Sequence, residues 1–99
     1  KLQSDDDDSG KLQATLGNLF VARKQFDRAY KAYSISIKLA PTNANLYFKA
    51  GLALKQLKDY SEAMLMFKKS VEIDPNNVSA HRQLAAVSAL GLISGDATT

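Results

Sequence analysis

Apolar side chains recur along this chain at spacings of three and four residues, interrupted at regular intervals by short polar breaks. Leu12, Leu16, Leu19 and Phe20 form the first stripe, and Phe26, Tyr30, Tyr33 and Ile37 the second, with Leu39 beside it. Spacing of this kind lays an apolar face along an α-helix. Arg23 to Gln25 separate the two stripes, and Asp27 stands near the start of the second helix. Pro41 ends that helix, because the residue before a proline is driven out of helical geometry. After Asn43-Ala44, Leu46, Ala50, Ala53, Leu54 and Leu57 make a third stripe. Asp59-Tyr60-Ser61 marks the next break, and a fourth stripe of Ala63, Met64, Phe67, Val71 and Ile73 runs to Pro75-Asn76-Asn77. A fifth helix is predicted over 78–92. No alternating run of β-branched residues predicts a strand. The pattern predicts an all-α chain of five helices whose short connections allow only antiparallel neighbours.

The breaks keep a period. Pro41 and Pro75 are separated by the same interval as Gly17 and Gly51, Ala29 and Ala63, Ser36 and Ser70, Asn43 and Asn77, and Lys24 and Lys58. Phe26 with Tyr60, Tyr33 with Phe67, and Leu39 with Ile73 hold the same register with like chemistry. A constant interval spanning a two-helix unit signals a stacked solenoid. The glycines fall where the two helices of a hairpin approach most closely, with Ala29 and Ala63 facing them and Tyr33 and Phe67 filling the gap towards the next repeat.

These residues resemble the tetratricopeptide repeat. The first copy reads Gln13, Leu16, Gly17, Phe20, Ala29, Tyr33 and Pro41; the second reads Tyr47, Ala50, Gly51, Leu54, Ala63, Phe67 and Pro75. A third begins with His81, Leu84, Ala85 and Ser88 and lacks its second helix. The resemblance implies a helical-hairpin solenoid over 11–93. Repeats would cover about 10–43 and 44–77, with a partial repeat or capping helix at about 78–93. His81 stands where the repeat has a large aromatic and is expected to pack half-buried.

Composition narrows the chemistry. Of 99 residues, 45% are hydrophobic and 23% charged, as in ordinary globular proteins. No apolar run approaches the roughly 18 residues of a membrane span. With no cysteine and one histidine, disulfides, thiolate metal sites and cysteine nucleophiles are excluded, and no metal or cofactor is expected. No nucleophile–base pairing or phosphate loop is present, so no enzyme is expected. Absence of cysteine fits the cytoplasm. A first residue of Lys1 suggests a fragment or a processed piece. Residues 1–10, KLQSDDDDSG, read as a disordered acidic tail or linker, and 94–99 as a flexible tail. From Lys11 onward twelve basic side chains face six acidic ones, so the body carries about +6 behind a net charge of +3.

The resemblance also implies a function: a scaffold whose first helices line a concave groove that grips a peptide or helix of a partner protein. Projected onto this sequence, the groove takes Asn18, Val21, Asn45, Phe48, Lys49, Leu52, Lys55, Arg82, Gln83 and Ala86. Phe48 and Leu52 would act as apolar anchors and the neighbouring cations would select an acidic, partly apolar segment. The family's carboxylate clamp, which binds the acidic C-terminus of large chaperones, is disfavoured. Its five places hold Ala14, Asn18, Lys49, Ser79 and Gln83, and only Asn18 agrees. An alternative role as an assembly element rests on the fifth helix, where no charged side chain occurs from Gln83 to Gly95. Val87, Leu90 and Ile93 would then form a face for homodimerisation or for further helices. The module would otherwise target a larger enzyme. Arg23, Lys24, Arg28 and Lys31 cluster, but the aromatics fall on packing positions, so nucleic acid is not expected as a partner.

Overall fold

A computed structural model describes residues 2–93 of the chain, with side chains from Gly10 to Gly91. Five helices follow one another: α1 (Leu2–Ala22), α2 (Phe26–Leu39), α3 (Ala44–Gln56), α4 (Tyr60–Ile73) and α5 (Val78–Ile93). α1 pairs with α2 and α3 with α4 as hairpins, α2 packs on α3, and α4 packs on α5. Among the described residues there is no strand, and no helix is long and apolar enough to cross a membrane.

Local chemistry repeats as faithfully as the sequence. Each hairpin turn places a lysine in the left-handed region, Lys24 at φ 60° and Lys58 at φ 64°. The following residue folds back on the helix before it: the Gln25 N–H donates to the Phe20 carbonyl at 2.8 Å and the Asp59 N–H to that of Leu54 at 3.0 Å. This is the helix stop usually built with glycine, formed twice here with lysine. Asn43, Asp59 and Asn77 each accept a backbone N–H through their side chains and start α3, α4 and α5. The Tyr47 hydroxyl donates to the Pro41 carbonyl at 2.8 Å, and one repeat on His81 Nε2 lies 2.8 Å from the Pro75 carbonyl. His81 is exposed rather than half-buried; among the described residues no helix follows α5 to lie over it.

Two buried clusters make the core. Ala29, Tyr33, Ala50 and Ala53 join the first hairpin to the second, and Leu54, Ala63, Phe67 and Val87 join α3, α4 and α5. The glycines explain themselves by contact. A Cβ on Gly17 would clash with the Tyr33 ring, 2.7 Å from Cδ1, and one on Gly51 would stand 2.6 Å from Cε1 of Phe67. So the ring of α2 or α4 lies directly over the glycine of its own hairpin. Two buried serines tie the hairpins at their open ends: Ser36 Oγ donates to the Gly10 carbonyl at 2.6 Å and Ser70 Oγ to that of Ala44 at 3.0 Å.

The N-terminal segment departs from the sequence expectation. Residues 2–10 continue α1 instead of forming an unstructured tail. Asp5 to Asp8 fall in the first two turns of α1. Gly10 is held by Ser36, so the segment grows from an anchored helix. The expected tail at 94–99 lies outside the described residues.

Candidate functional site

α1 and α3 run side by side as the first helices of their hairpins, and a cavity of about 570 Å³ opens between them. That is a size typical of ligand-binding clefts. Asn18, Val21 and Ala22 of α1 line one side, Lys49, Leu52, Ala53 and Gln56 of α3 the other, and Lys24, Phe26 and Tyr33 complete the lining. The backbone dictates this arrangement: positions 18, 21 and 22 lie within one turn and a third on one face of α1, and 49, 52, 53 and 56 recur at three and four along α3.

The polar centre is a three-residue network. Tyr33, almost wholly buried, donates its hydroxyl to Asn18 Oδ1 at 2.6 Å, and Lys49 Nζ reaches the same oxygen at 3.3 Å. Two donors on one oxygen fix the Asn18 amide with its carbonyl inward. Burial pushes the Tyr33 hydroxyl above its ordinary value of 10.0, so it remains a donor throughout the neutral range. A raised folded-state value favours the protonated form, so its contribution to stability is present below pH 10 and is lost as the pH rises through the folded value. In alkaline titrations followed by circular dichroism, the wild-type chain is expected to lose more stability above pH 10 than Tyr33→Phe. Equal slopes would contradict the assignment.

Four of the ten residues projected onto the groove, Asn18, Val21, Lys49 and Leu52, line this cavity. Lys55 and Gln83 form a second inner contact, with Lys55 Nζ donating to Gln83 Oε1 at 2.9 Å. Phe48 is not an exposed anchor. Its ring packs into the second hairpin, 5.9 Å from the Phe67 ring at a tilt of 57°, because α4 supplies an aromatic surface on that side. Asn45 and Arg82 are exposed and Ala86 is half-buried; none of them lines the cavity. Lys24, Phe26, Tyr33, Ala53 and Gln56 also enter the lining, although the projection from the sequence does not include them. The proposed face on α5 changes as well. Val87 is fully buried against Leu54, Ala63 and Phe67, since α5 must turn one side to α3 and α4. Leu90 is half-buried, and the Ile93 side chain lies outside the described residues.

Comparison with known proteins places this geometry. Residues 44–77 match the family model described as the tetratricopeptide repeat and residues 17–58 a second one described as the TPR repeat. The Hsp70-Hsp90 organizing protein of Triticum aestivum is 35% identical over 83 residues, 84% of this chain and 14% of that protein. The structure of the TPR2AB domain of yeast Sti1 in complex with pHSP90 superposes with a TM-score of 0.81 at 29% identity, covering 84% of this chain and 32% of that one. The second TPR of Spaghetti (RPAP3), bound to the HSP90 peptide SRMEEVD, has a TM-score of 0.85 over 90% of this chain and 82% of its own, and at 19% identity it speaks for the fold. The chain spans only 11% to 20% of the first curated relatives it matches. One unit recurs in sequence profile, in backbone and in internal spacing: the chain belongs to the tetratricopeptide repeat family.

Proposed function

We propose that the chain is a non-catalytic protein-interaction module that holds an acidic, partly apolar peptide or helix in the groove between α1 and α3. The observation that carries this reading is the position of Lys49, a cation that lines the groove together with the apolar side chains of Val21 and Leu52. It makes one long hydrogen bond to Asn18, which leaves ammonium protons for a ligand carboxylate. Val21 and Leu52 supply the apolar contact. Related repeats from yeast Sti1 have been captured with HSP90 and HSP70 partners, which supports a protein ligand. The clamp positions Ala14, Ser79 and Gln83 lack the cations that would grip a free terminal carboxylate, Lys49 stands in place of an amide, and Gln83 is engaged by Lys55. The groove therefore reads side-chain acids along a segment rather than its end.

Fluorescence anisotropy with labelled SRMEEVD, with free and with amidated C-terminus, tests this. The two forms are expected to bind alike, and Lys49→Glu or Leu52→Lys to weaken both by about tenfold or more. Binding unaltered in both variants would defeat the groove reading. Loss of binding on amidation alone would instead make the site a carboxylate clamp.

A further inference from the structure

The cavity between α1 and α3 owes its depth to side chains that differ between one repeat and the next. Between the second hairpin and α5, Phe48, Leu52 and Val87 pack on the cluster that contains the buried ring of Phe67. Their equivalents one repeat earlier are Ala14, Asn18 and Ala53, and the ring in the place of Phe67 is that of Tyr33. The first pair of repeats therefore lacks a phenyl ring, an isobutyl group and two methyl groups that the second pair uses to cover its aromatic residue. Asn18, Tyr33 and Ala53 all line the cavity of about 570 Å³. Tyr33 and Ala53 are buried whereas Asn18, Val21 and Ala22 are exposed, so the first two mark its inner end and the others its rim. All of the lining comes from the first hairpin and α3.

We infer that this cavity receives one aromatic side chain of the bound segment, set against the Tyr33 ring as Phe48 is set against that of Phe67. The inference rests on the reading of the groove as a peptide site and names the residue that anchors the peptide. Size follows from the groups that are missing, the largest of which is the phenyl ring that Ala14 lacks relative to Phe48. Aromatic character follows from the surroundings. The equivalent ring pair within the protein has its centroids 5.9 Å apart at a tilt of 57°, an arrangement that aromatic rings favour over face-to-face stacking. Phe26 and Tyr33 bring two rings to the cavity, and Lys24 and Lys49 bring two cations. Cations are attracted to the face of a π system, an attraction that an aliphatic side chain does not offer. The polar centre then orients the backbone. Asn18 Oδ1 already accepts from the Tyr33 hydroxyl and from Lys49, so the Asn18 amide and the Lys49 ammonium present donors to a ligand. The peptide carbonyl beside the aromatic residue is an acceptor and meets that need.

The test uses the 99-residue chain and labelled peptides with glutamates on either side of one central residue, which is phenylalanine, leucine or alanine. In anisotropy titrations the phenylalanine peptide is expected to bind at least about tenfold more tightly than the alanine peptide and about threefold more tightly than the leucine peptide. Ala53→Val, which copies Val87, and Ala22→Leu, at an exposed position on the rim, should each erase that preference. Ala22→Leu carries the comparison if circular dichroism shows that Ala53→Val disturbs the core. The Ala22 and Ala53 methyl resonances should move further on adding the phenylalanine peptide than the leucine peptide, because a ring current acts on them. Phenylalanine and alanine peptides that bind alike, both weakened by Lys49→Glu, would overturn the anchor and leave the groove reading standing. Equal binding of the phenylalanine and leucine peptides would overturn the aromatic occupant. No binding of any of the three would overturn both readings.

Discussion

Gly51→Val is expected to destabilise the chain by about 3 kcal/mol, near the upper end of what overpacking a tight core costs. Even the first added carbon meets the Phe67 ring at 2.6 Å from Cε1 and 2.8 Å from Cδ1, and the ring is fully buried with no room to swing away. Two further methyl groups extend the overlap. For a domain of this size, such a loss corresponds to a fall of roughly 12–24 °C in Tm. Gly91→Ala supplies the contrast, because nothing lies within 4 Å of a Cβ there. That substitution should gain about 0.5–1 kcal/mol through helix propensity alone. Thermal melts of the two variants decide the matter: equal shifts would mean that propensity, not the ring over Gly51, sets the requirement. The third copy supports the argument from within the sequence. Ala85 takes the place of Gly51 and is exposed, and among the described residues no aromatic of a further helix crosses it.

The fold is legible because the repeat constrains each position twice. Gly17 and Gly51 predict close approach at equivalent places in successive repeats, and both places hold a ring over a glycine. Pro41 and Pro75 mark the ends of α2 and α4 in the same way. The acidic segment misleads for a physical reason. Adjacent like charges argue against order when a segment stands alone, but residues 2–9 extend a helix whose next turn is bonded to Ser36 through Gly10.

The groove is legible only in part. Asn18, Val21, Lys49 and Leu52 follow from which face of α1 and α3 the hairpins leave open, and that face is set by the positions of Gly17 and Gly51. Tyr33 and Phe26 reach the same cavity from α2 through packing between elements, for which a stripe pattern gives no direction. A signal for Tyr33 lies in its register. It is the first repeat's equivalent of the aromatic Phe67, and an aromatic with a hydroxyl at a buried place needs a hydrogen-bond partner, which Asn18 supplies. Phe48 lies on the same side of α3 as Leu52, one turn away, yet turns into the hairpin. The difference lies in Phe67 beneath it, which no property of α3 reveals.

α5 is the hardest case, because its apolar residues go nearly all the way round and the pattern selects no face. Val87→Asp resolves it with a large effect. Val87 is fully buried among Leu54, Ala63 and Phe67, so a carboxylate there is an uncompensated buried charge, which costs about 4 kcal/mol. That is a large part of the stability of a small domain. Burial raises the pKa of such a carboxyl in the folded state, so the loss is smallest at low pH, where the group is neutral, and grows as the pH rises. Ala89→Asp, at an exposed position two residues on, should change stability by less than about 0.5 kcal/mol. Urea titrations of both variants at pH 4 and pH 7 give the comparison. A Val87→Asp chain as stable as wild type, altered only in its association, would return Val87 to a docking surface. A chain strongly destabilised at pH 7 and partly recovered at pH 4 makes Val87 the residue that fastens α5 to the second hairpin.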